Sequence, residues 1–450
     1  MRLEKDGQFV ELWLDEVRDR FVEFASCVLR SREGAIGDSP EPVTLATRFE
    51  FSAADDLQRL LGERLRAGWQ RVRDPEREEN VDGEPRDPAL DAALLADPSD
   101  SATALVYADW LQQRGHPRGA LIALQHANLD DEAAQLLDEH EDDLLGPLAS
   151  YLDSDGSLEL TWELGFVRRA RIGRRGGDSG PQVLWEVLRH PSTRLLRELV
   201  IGHHRLGDQN NELMCDLLLH AGPRPTLRLL EIADFDQSEL DNIDISRAPI
   251  GDLSQLSARY PLLEDVVLKG NGDVALGNLD LPRARRFALR TSGMTRATLA
   301  TIARAKWPAL RELELWFGDP ERGYGAQCER ADAAALFRCE LPELRVLALR
   351  NAMFSDEIVP DVLSWAGAVR LEELDFALGT LSDDGARQLI AGKHALPSLR
   401  RLGVFECALS PRGMQELRDA GFTVDDRPIA PAFAWREPQQ KAGRYASVSE

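Results

Sequence analysis

Two glutamates separated by one residue, Glu312 and Glu314, have the types and spacing best suited to acid–base chemistry. Residues i and i+2 of a strand point to the same face of a sheet, so both carboxylates would lie on one side. Such a pair acts as acid and base only in a water-poor pocket that shifts its pKa values. An open sheet has no such pocket. We therefore expect no catalytic residue, and a chain that is not an enzyme.

Metal and phosphate sites have weaker support. His203, His204 and His220 lie near Cys215, but no spacing there brings three ligands together. The segment RIGRRGGDSG, residues 171–180, has the glycines and arginines of a phosphate-binding loop but no P-loop lysine. We expect surface histidines, a basic loop, no metal and no cofactor.

The charge of the chain restricts its partners. Its 450 residues carry a formal net charge of −23, with a pI near 4.9. Proteins that bind nucleic acid or anionic membranes usually present a basic field, so nucleic acid is an unlikely partner and no membrane association is expected. The five cysteines include no C-x-x-C pair, and the chain has no apolar run of membrane-spanning length. These features predict a cytoplasmic protein.

Both glutamates belong to a strand pattern, apolar-x-x-apolar-x-apolar, that occurs eight times. The copies begin at Leu196, Leu227, Leu263, Ala284, Leu310, Leu344, Leu371 and Leu399. Their steps are 31, 36, 21, 26, 34, 27 and 28 residues. A ninth copy begins at Val167, after an edge strand with Leu158, Leu160 and Trp162. Such a period predicts units that bury their apolar faces only by stacking into a solenoid.

Several copies are followed by a helix with a Ser or Thr N-cap, as in Leu381-Ser-Asp-Asp-Gly. This pattern resembles the long leucine-rich repeats of the ribonuclease-inhibitor kind. The resemblance implies an α/β solenoid over residues 151–425, with a parallel sheet inside and helices outside. The 21-residue step after Leu263 is too short for a full helix, and the 34-residue step after Leu310 holds an insertion.

In this pattern the residues on either side of the middle apolar position point to the concave face. They give an acidic strip crossed by arginines, with one tryptophan between them. Arginine and tryptophan are enriched at interaction hot spots. The candidate partner-binding residues are Arg286, Arg290, Glu312, Glu314, Trp316, Arg350, Glu373 and Asp375. The alternative, that these charges only solvate an exposed sheet, stays open.

Residues 87–150 are helical in pattern. The residues of this segment that carry a resemblance to a known family are Leu95, Ala96, Asp97, Pro98, Asp100, Leu105, Tyr107, Ala108, Asp109, Trp110, Leu111, Arg114, Gly115, Pro117, Arg118, Gly119 and Gln125. With them the segment resembles the bacterial repeat-companion domain, which implies a bacterial multidomain protein with a repeat array downstream. Asp109 with Arg114 or Arg118 suggests an ion pair at a helix turn.

Residues 1–78 contain a predicted hairpin, a third strand over Thr44–Phe51, and a helix opened by Ser52. With ELWLDEV and the closing Gly68-Trp69, this segment resembles a WGR domain, although the Trp-Gly-Arg triplet itself is absent. Residues 79–86 are a charged linker. Residues 426–450, rich in proline and polar residues, predict a disordered tail.

Together these features predict a bacterial, cytoplasmic, non-enzymatic scaffold or sensor that binds another protein on the concave face of its repeats. We expect a monomer or a weak oligomer. The alternative hypothesis is a nucleic-acid-linked adaptor that acts through the WGR-like segment.

Overall fold

The computed structural model describes residues 2–17, 26–35, 40–49, 60, 63–64, 67, 70–71, 85–152, 158–173, 180–202, 210–234, 245–272, 274–322 and 324–428. The architecture is mixed α/β, with a large, mostly parallel sheet. The chain forms two compact units, Met1–Leu227 and Arg228–Glu450. Within the described ranges, no helix is long and apolar enough to cross a membrane.

The first unit begins with a five-stranded sheet of order β4-β3-β2-β1-β5. The strands are β1 (Arg2–Lys5), β2 (Gln8–Val17), β3 (Ser26–Ala35), β4 (Val43–Phe49) and β5 (Gln70–Arg71). All of its pairings are antiparallel. This confirms the predicted hairpin and third strand, whereas β1 and β5 were not predicted. The predicted helix from Ser52 lies mostly outside the described residues.

Five helices follow. They are α1 (Pro88–Ala96), α2 (Ser101–Gln112), α3 (Pro117–His126), α4 (Asp130–Glu139) and α5 (Glu141–Leu145). Asp87 and Asp100 accept backbone N–H bonds as N-caps of α1 and α2, and Pro117 begins α3. The sequence pattern predicts one acidic helix over residues 130–145; this prediction was wrong, because the segment forms two helices. His140, in neither the helical nor the extended backbone conformation, separates α4 from α5.

The described residues in the rest of the first unit form three strands and two α-helices. They are β6 (Leu158–Glu163), β7 (Phe166–Ile172), α6 (Gly180–Arg189), β8 (Glu198–Gly202) and α7 (Asn210–His220). Strand β6 pairs antiparallel with β7, and β7 pairs parallel with β8. The predicted edge strand and the ninth repeat copy are therefore present as strands.

Helices α2 and α3 pack against the β6–β7 turn through one apolar cluster. Tyr107 and Ile122 share this cluster with Phe166 and Leu195. The fully buried Arg118 links the helices to the same strands. Its Nη1 donates to the Gly165 carbonyl at 2.6 Å, and its Nη2 donates to Ser192 Oγ at 2.8 Å. The helical segment thus shares a core with the first strands of the parallel sheet.

The prediction that Asp109 pairs with Arg114 or Arg118 was wrong, because both arginines contact other groups. Arg114 donates to the Trp110 carbonyl and stacks on the Trp110 ring at 3.8 Å. Arg118 points into the protein, because its two hydrogen bonds there satisfy acceptors that are buried away from water.

The second unit has eight parallel strands in the order β9-β11-β13-β14-β15-β16-β17-β18. They are β9 (Leu229–Asp234), β11 (Asp265–Gly270), β13 (Arg286–Thr291), β14 (Glu312–Gly318), β15 (Val346–Ala352), β16 (Glu373–Asp375), β17 (Arg401–Gly403) and β18 (Val424–Asp425). The short strands β10 (Gly251–Asp252) and β12 (Val274–Ala275) pair parallel separately. Every repeat copy predicted in this unit is a strand; β18 was not predicted.

The strands of the second unit are joined by helices or short turns. The helices are α8 (Leu256–Arg259), α9 (Arg296–Arg304), α10 (Arg330–Ala333), α11 (Ser355–Ser364), α12 (Asp383–Ala391) and α13 (Pro411–Asp419). Within the described residues, the 21-residue step between β11 and β13 contains β12 and no helix, as predicted.

The last helices are linked by a repeated carboxylate–serine contact. Asp356 accepts hydrogen bonds from the backbone N–H and the hydroxyl of Ser382, the N-cap of α12. Asp383 does the same for Ser410, the N-cap of α13. Each helix thus holds the first turn of the next one in place.

We expect Arg118→Ala to lower the free energy of unfolding by about 2–4 kcal/mol, because it leaves two buried acceptors without donors. Arg114→Ala is the matched control, since this exposed side chain, in the turn just after α2, contacts only Trp110 in the described contacts; its cost should stay below about 1 kcal/mol. Urea unfolding measures both. Equal costs would contradict the assigned role of Arg118.

Candidate functional site

Parallel pairing aligns the polar residues of successive strands in rows. One row contains Asp265, Arg286, Glu312, Val346, Glu373 and Arg401. The next contains Val267, Ala288, Glu314, Ala348, Asp375, Gly403 and Asp425. We call the side of the sheet with these two rows, together with Arg290, Trp316 and Arg350, the polar face. The register is set by the apolar positions between the rows, since a one-residue slip would expose all of them.

At the centre of the polar face lies the buried carboxylate of Glu314, which is 3% exposed. Arg290 reaches it from β13 with Nε at 3.0 Å from Oε1 and Nη2 at 3.1 Å from Oε2. Arg350 reaches it from β15 with Nη1 at 2.7 Å from Oε1. The indole Nε1 of Trp316 donates to the same oxygen at 2.8 Å. Two cations and one neutral donor thus replace the water that Glu314 loses.

Small residues make room for this cluster. Ala288 and Ala348 are the partners of Glu314 in the neighbouring strands, and both are buried. A larger side chain at either position would occupy the space beside the Glu314 carboxylate. The arginines lie two positions further along their strands and bend back toward the carboxylate.

The pKa values of the cluster follow from this geometry. Burial alone raises the pKa of a carboxyl group, but Arg290, Arg350 and the hydrogen bond from Trp316 lower the pKa of Glu314 to about 2. Burial lowers the pKa of Arg290 and Arg350, but pairing with Glu314, and for Arg350 also with Asp375, raises it above the usual value. Glu314 is therefore a permanent anion near neutral pH, not a proton donor.

At Asp265, at one end of the first row, burial has a larger effect on the pKa than the nearby positive charge. Burial raises the pKa of Asp265, and Arg286 opposes this only in part. The guanidinium of Arg286 lies 3.9 Å from Asp265 Oδ1 and 3.0 Å from Glu312 Oε1, so it is closer to the glutamate.

Arg350 also extends the cluster toward the end of the sheet. Its Nη2 donates to Asp375 Oδ2 at 2.7 Å, and the second oxygen of Asp375 accepts from the Ala377 backbone at 2.8 Å. Gly403 lies beside Asp375 in the row, where a Cβ would be 2.3 Å from the carboxylate carbon. Only glycine leaves the Asp375 carboxylate in this position.

Four charged residues on or beside the polar face were not among the predicted site residues: Asp265, Arg401, Asp425 and Arg427. Arg401 pairs with Glu373 at 2.5 Å and with Asp425 at 3.2 Å. Arg427 binds both oxygens of Asp425, at 2.8 and 2.9 Å. The row position of Arg401 is visible in the sequence pattern. The two-residue strand that places Asp425 is too short to give a periodic signal.

All eight predicted site residues lie on the polar face. Seven of them form a connected network from Arg286 to Asp375, and Glu373 pairs separately with Arg401. Carboxylates and guanidinium groups alternate, so they do not form a continuous acidic strip. Glu314, Trp316 and Asp375 are buried and Arg350 is mostly covered. The accessible members are Arg286, Glu312 and Glu373, each about one-third exposed, and Arg290, about one-quarter exposed.

The metal and phosphate predictions receive no test at their main residues. His203, His204 and residues 174–179 lie outside the described residues, while Cys215 is buried in α7. Across the described ranges, no group of three or more His, Cys, Asp or Glu side chains is placed to hold a metal ion.

No protein-family model and no curated protein matches the chain. Among solved structures, it is similar to a Bacteroides fragilis protein determined as a structural genomics target. The two share 16% identity with a TM-score of 0.45, and the match covers 94% of this chain and 95% of the other. This distant likeness carries no argument about function. The leucine-rich-repeat, repeat-companion and WGR-like resemblances therefore stay predictions.

Glu314 predicts a loss of stability in acid. Its folded-state pKa lies below the ordinary value of 4.5, so its ionised form stabilises the fold above that pH. This contribution should be lost as the pH falls from 4.5 to about 2. Asp265 acts in the opposite direction, because protonation relieves its burial cost. We expect the free energy of unfolding, measured in urea, to fall more over this pH window in the wild type than in Glu314→Gln.

At pH 7, Glu314→Gln should cost about 3 kcal/mol, because it leaves buried arginines without their counter-charge. The control, Glu312→Gln, removes a half-exposed partner of Arg286 and should cost less than about 1 kcal/mol. If the two variants had equal stability and equal pH dependence, the central role of Glu314 would be wrong.

We expect Gly403→Ala to destabilise the fold by about 1–3 kcal/mol, because the new methyl group collides with the fixed Asp375 carboxylate. The same substitution in an Asp375→Ala background should cost less than about 0.5 kcal/mol, since the obstacle is gone. A double-mutant cycle by urea denaturation measures this coupling. A cost that is the same in both backgrounds would show that the carboxylate is not the cause.

Proposed function

We propose that this chain is a bacterial leucine-rich-repeat scaffold or sensor, without enzymatic activity, that binds another protein through the polar face. The observation that carries the proposal is the pair of in-register rows. They turn separate repeats into one continuous surface of fixed charges.

The repeat assignment is supported by the agreement between sequence period and strand register. The middle apolar residues of successive copies, such as Phe287, Leu313 and Leu347, pair directly with one another. Each strand from β13 to β17 is followed by helical turns before the next strand begins. This is the unit expected of a stacked repeat, in which every copy buries its apolar side against its neighbours.

A binding role suits the electrostatics better than a catalytic one. An acid–base pair needs one carboxyl group that titrates near working pH, and Arg290 and Arg350 hold Glu314 ionised far below it. The oxygens of Glu314, Asp375 and Asp425 already accept hydrogen bonds from arginines. These carboxylates are suited to orient cations, not to transfer protons.

The buried members of the cluster contribute by fixing the exposed ones. Arg286, at the rim, has carboxylates of Asp265, Glu312 and Glu314 within 3.9 Å, so its guanidinium is held before any partner arrives. A side chain that is already ordered loses less entropy on binding. Alternating charges at a rim mainly set specificity and orientation, which is what a scaffold requires of its partner.

The alternative hypothesis, a nucleic-acid-linked adaptor acting through the WGR-like sheet, needs contacts that are independent of the polar face. It predicts binding of DNA that depends on residues 1–78. The net charge of −23 opposes such binding at long range.

The proposal is tested with the full chain as bait in a lysate of the source bacterium. We expect Arg286→Glu to reduce the recovery of the specific partner at least tenfold, because it places a carboxylate among three others. The matched control is Arg330→Glu, the same charge change at an exposed ion pair with Asp361 between helices, which should leave recovery unchanged.

Urea midpoints of both variants confirm that the fold is intact. Recovery that is equal for wild type, Arg286→Glu and Arg330→Glu would refute the polar face as the binding site. Recovery of DNA that disappears only when residues 1–78 are removed would favour the adaptor hypothesis instead.

A further inference from the structure

The end of the polar face contains a pocket that the proposed function does not by itself explain. Its volume is about 330 Å³, within the usual range of ligand pockets, and it is open to solvent on one side. Three arginines, Arg350, Arg401 and Arg427, line it together with Asp375 and Asp425. Phe405, itself buried, supplies an apolar wall.

Both carboxylates of this pocket already accept hydrogen bonds at each of their oxygens. Asp375 accepts from Arg350 at one oxygen and from the Ala377 backbone at the other. Asp425 accepts from the Arg427 Nε and backbone N–H at one oxygen, and from Arg401 and the Arg427 Nη2 at the other. With four accepted bonds, Asp425 is not well placed to bind a further donor.

The donors, in contrast, are in surplus. A guanidinium carries five N–H groups, and each of these arginines donates to protein from only two of its side-chain nitrogens in the described contacts. The Nε of Arg350 is buried and has no hydrogen-bond partner among the described residues.

We propose that this pocket binds a carboxylate of the partner protein, carried on an acidic side chain. The N–H groups of these three arginines that donate to no described residue are sufficient to bind both oxygens of one carboxylate. A phosphate dianion would leave excess negative charge in a chain that already carries −23. The wall formed by Phe405 suits the methylene groups of a glutamate side chain.

This inference rests on the proposed function only for the identity of the molecule that carries the carboxylate. The pocket's preference for a carboxylate over a phosphate is a property of its own residues. It can be measured without knowledge of the partner.

The test titrates the full chain with butyrate, which carries the single carboxylate and the methylene groups of a glutamate side chain, and separately with inorganic phosphate, by isothermal calorimetry. We expect butyrate to bind saturably with a Kd of about 1 mM, as suits a fragment of a larger ligand. Arg427→Gln should weaken this binding at least tenfold. Arg427 is 81% exposed, so the substitution does not endanger the fold.

Arg412→Gln is the matched control. It removes the same charge from an exposed arginine on α13 that pairs only with Glu416 in the described contacts, so butyrate binding should not change. Butyrate that fails to saturate at about 10 mM, phosphate that binds more tightly than butyrate, or equal weakening in both variants would each overturn the proposal.

The bait experiment separates this site from the proposed function. A partner lost with Arg286→Glu but retained at full level with Arg427→Gln would leave the scaffold function standing and overturn the pocket's role in it. A partner lost with both variants, and kept with Arg412→Gln, would support both.

Discussion

A carboxylate buried in a sheet of apolar strands is stable only if cations and N–H groups replace its water, and Glu314 meets this constraint with residues from three adjacent strands. Arg290 comes from the strand before it and Arg350 from the strand after it. The contacts exist only when all three strands pair in one register. A slip by one residue would turn Glu314 to the apolar side of the sheet, so its burial also specifies the register.

The same constraint organises the surface. Because Glu314 binds Arg290 and Arg350, Arg350 is also in position to bind Asp375. Gly403 has no side chain and therefore leaves room for the Asp375 carboxylate. The fixed charges therefore continue from the centre of the sheet to its last strand. The partly exposed residues at the rim are held by buried ones, so the proposed binding surface is ordered before a partner arrives.

The sequence predicts the strands well because each one repeats the same apolar spacing, and in-register pairing then follows from burial. The pattern also places Glu314, Trp316 and Arg350 on one face. It does not predict that Glu314 and Trp316 are buried, because that depends on arginines from neighbouring strands bending across Ala288 and Ala348. The break at His140 and the two-residue strand β18 are missed because tertiary contacts, not local periodicity, determine them.

The central claim is that the polar face is where the partner binds. The most direct measurement is photo-crosslinking in cells of the source organism, with a benzophenone amino acid placed at Glu312 on the polar face or at the exposed Arg304 on α9. The account predicts a specific crosslinked protein from position 312 and none from position 304. A crosslink to the same protein from position 304, with none from 312, would contradict it.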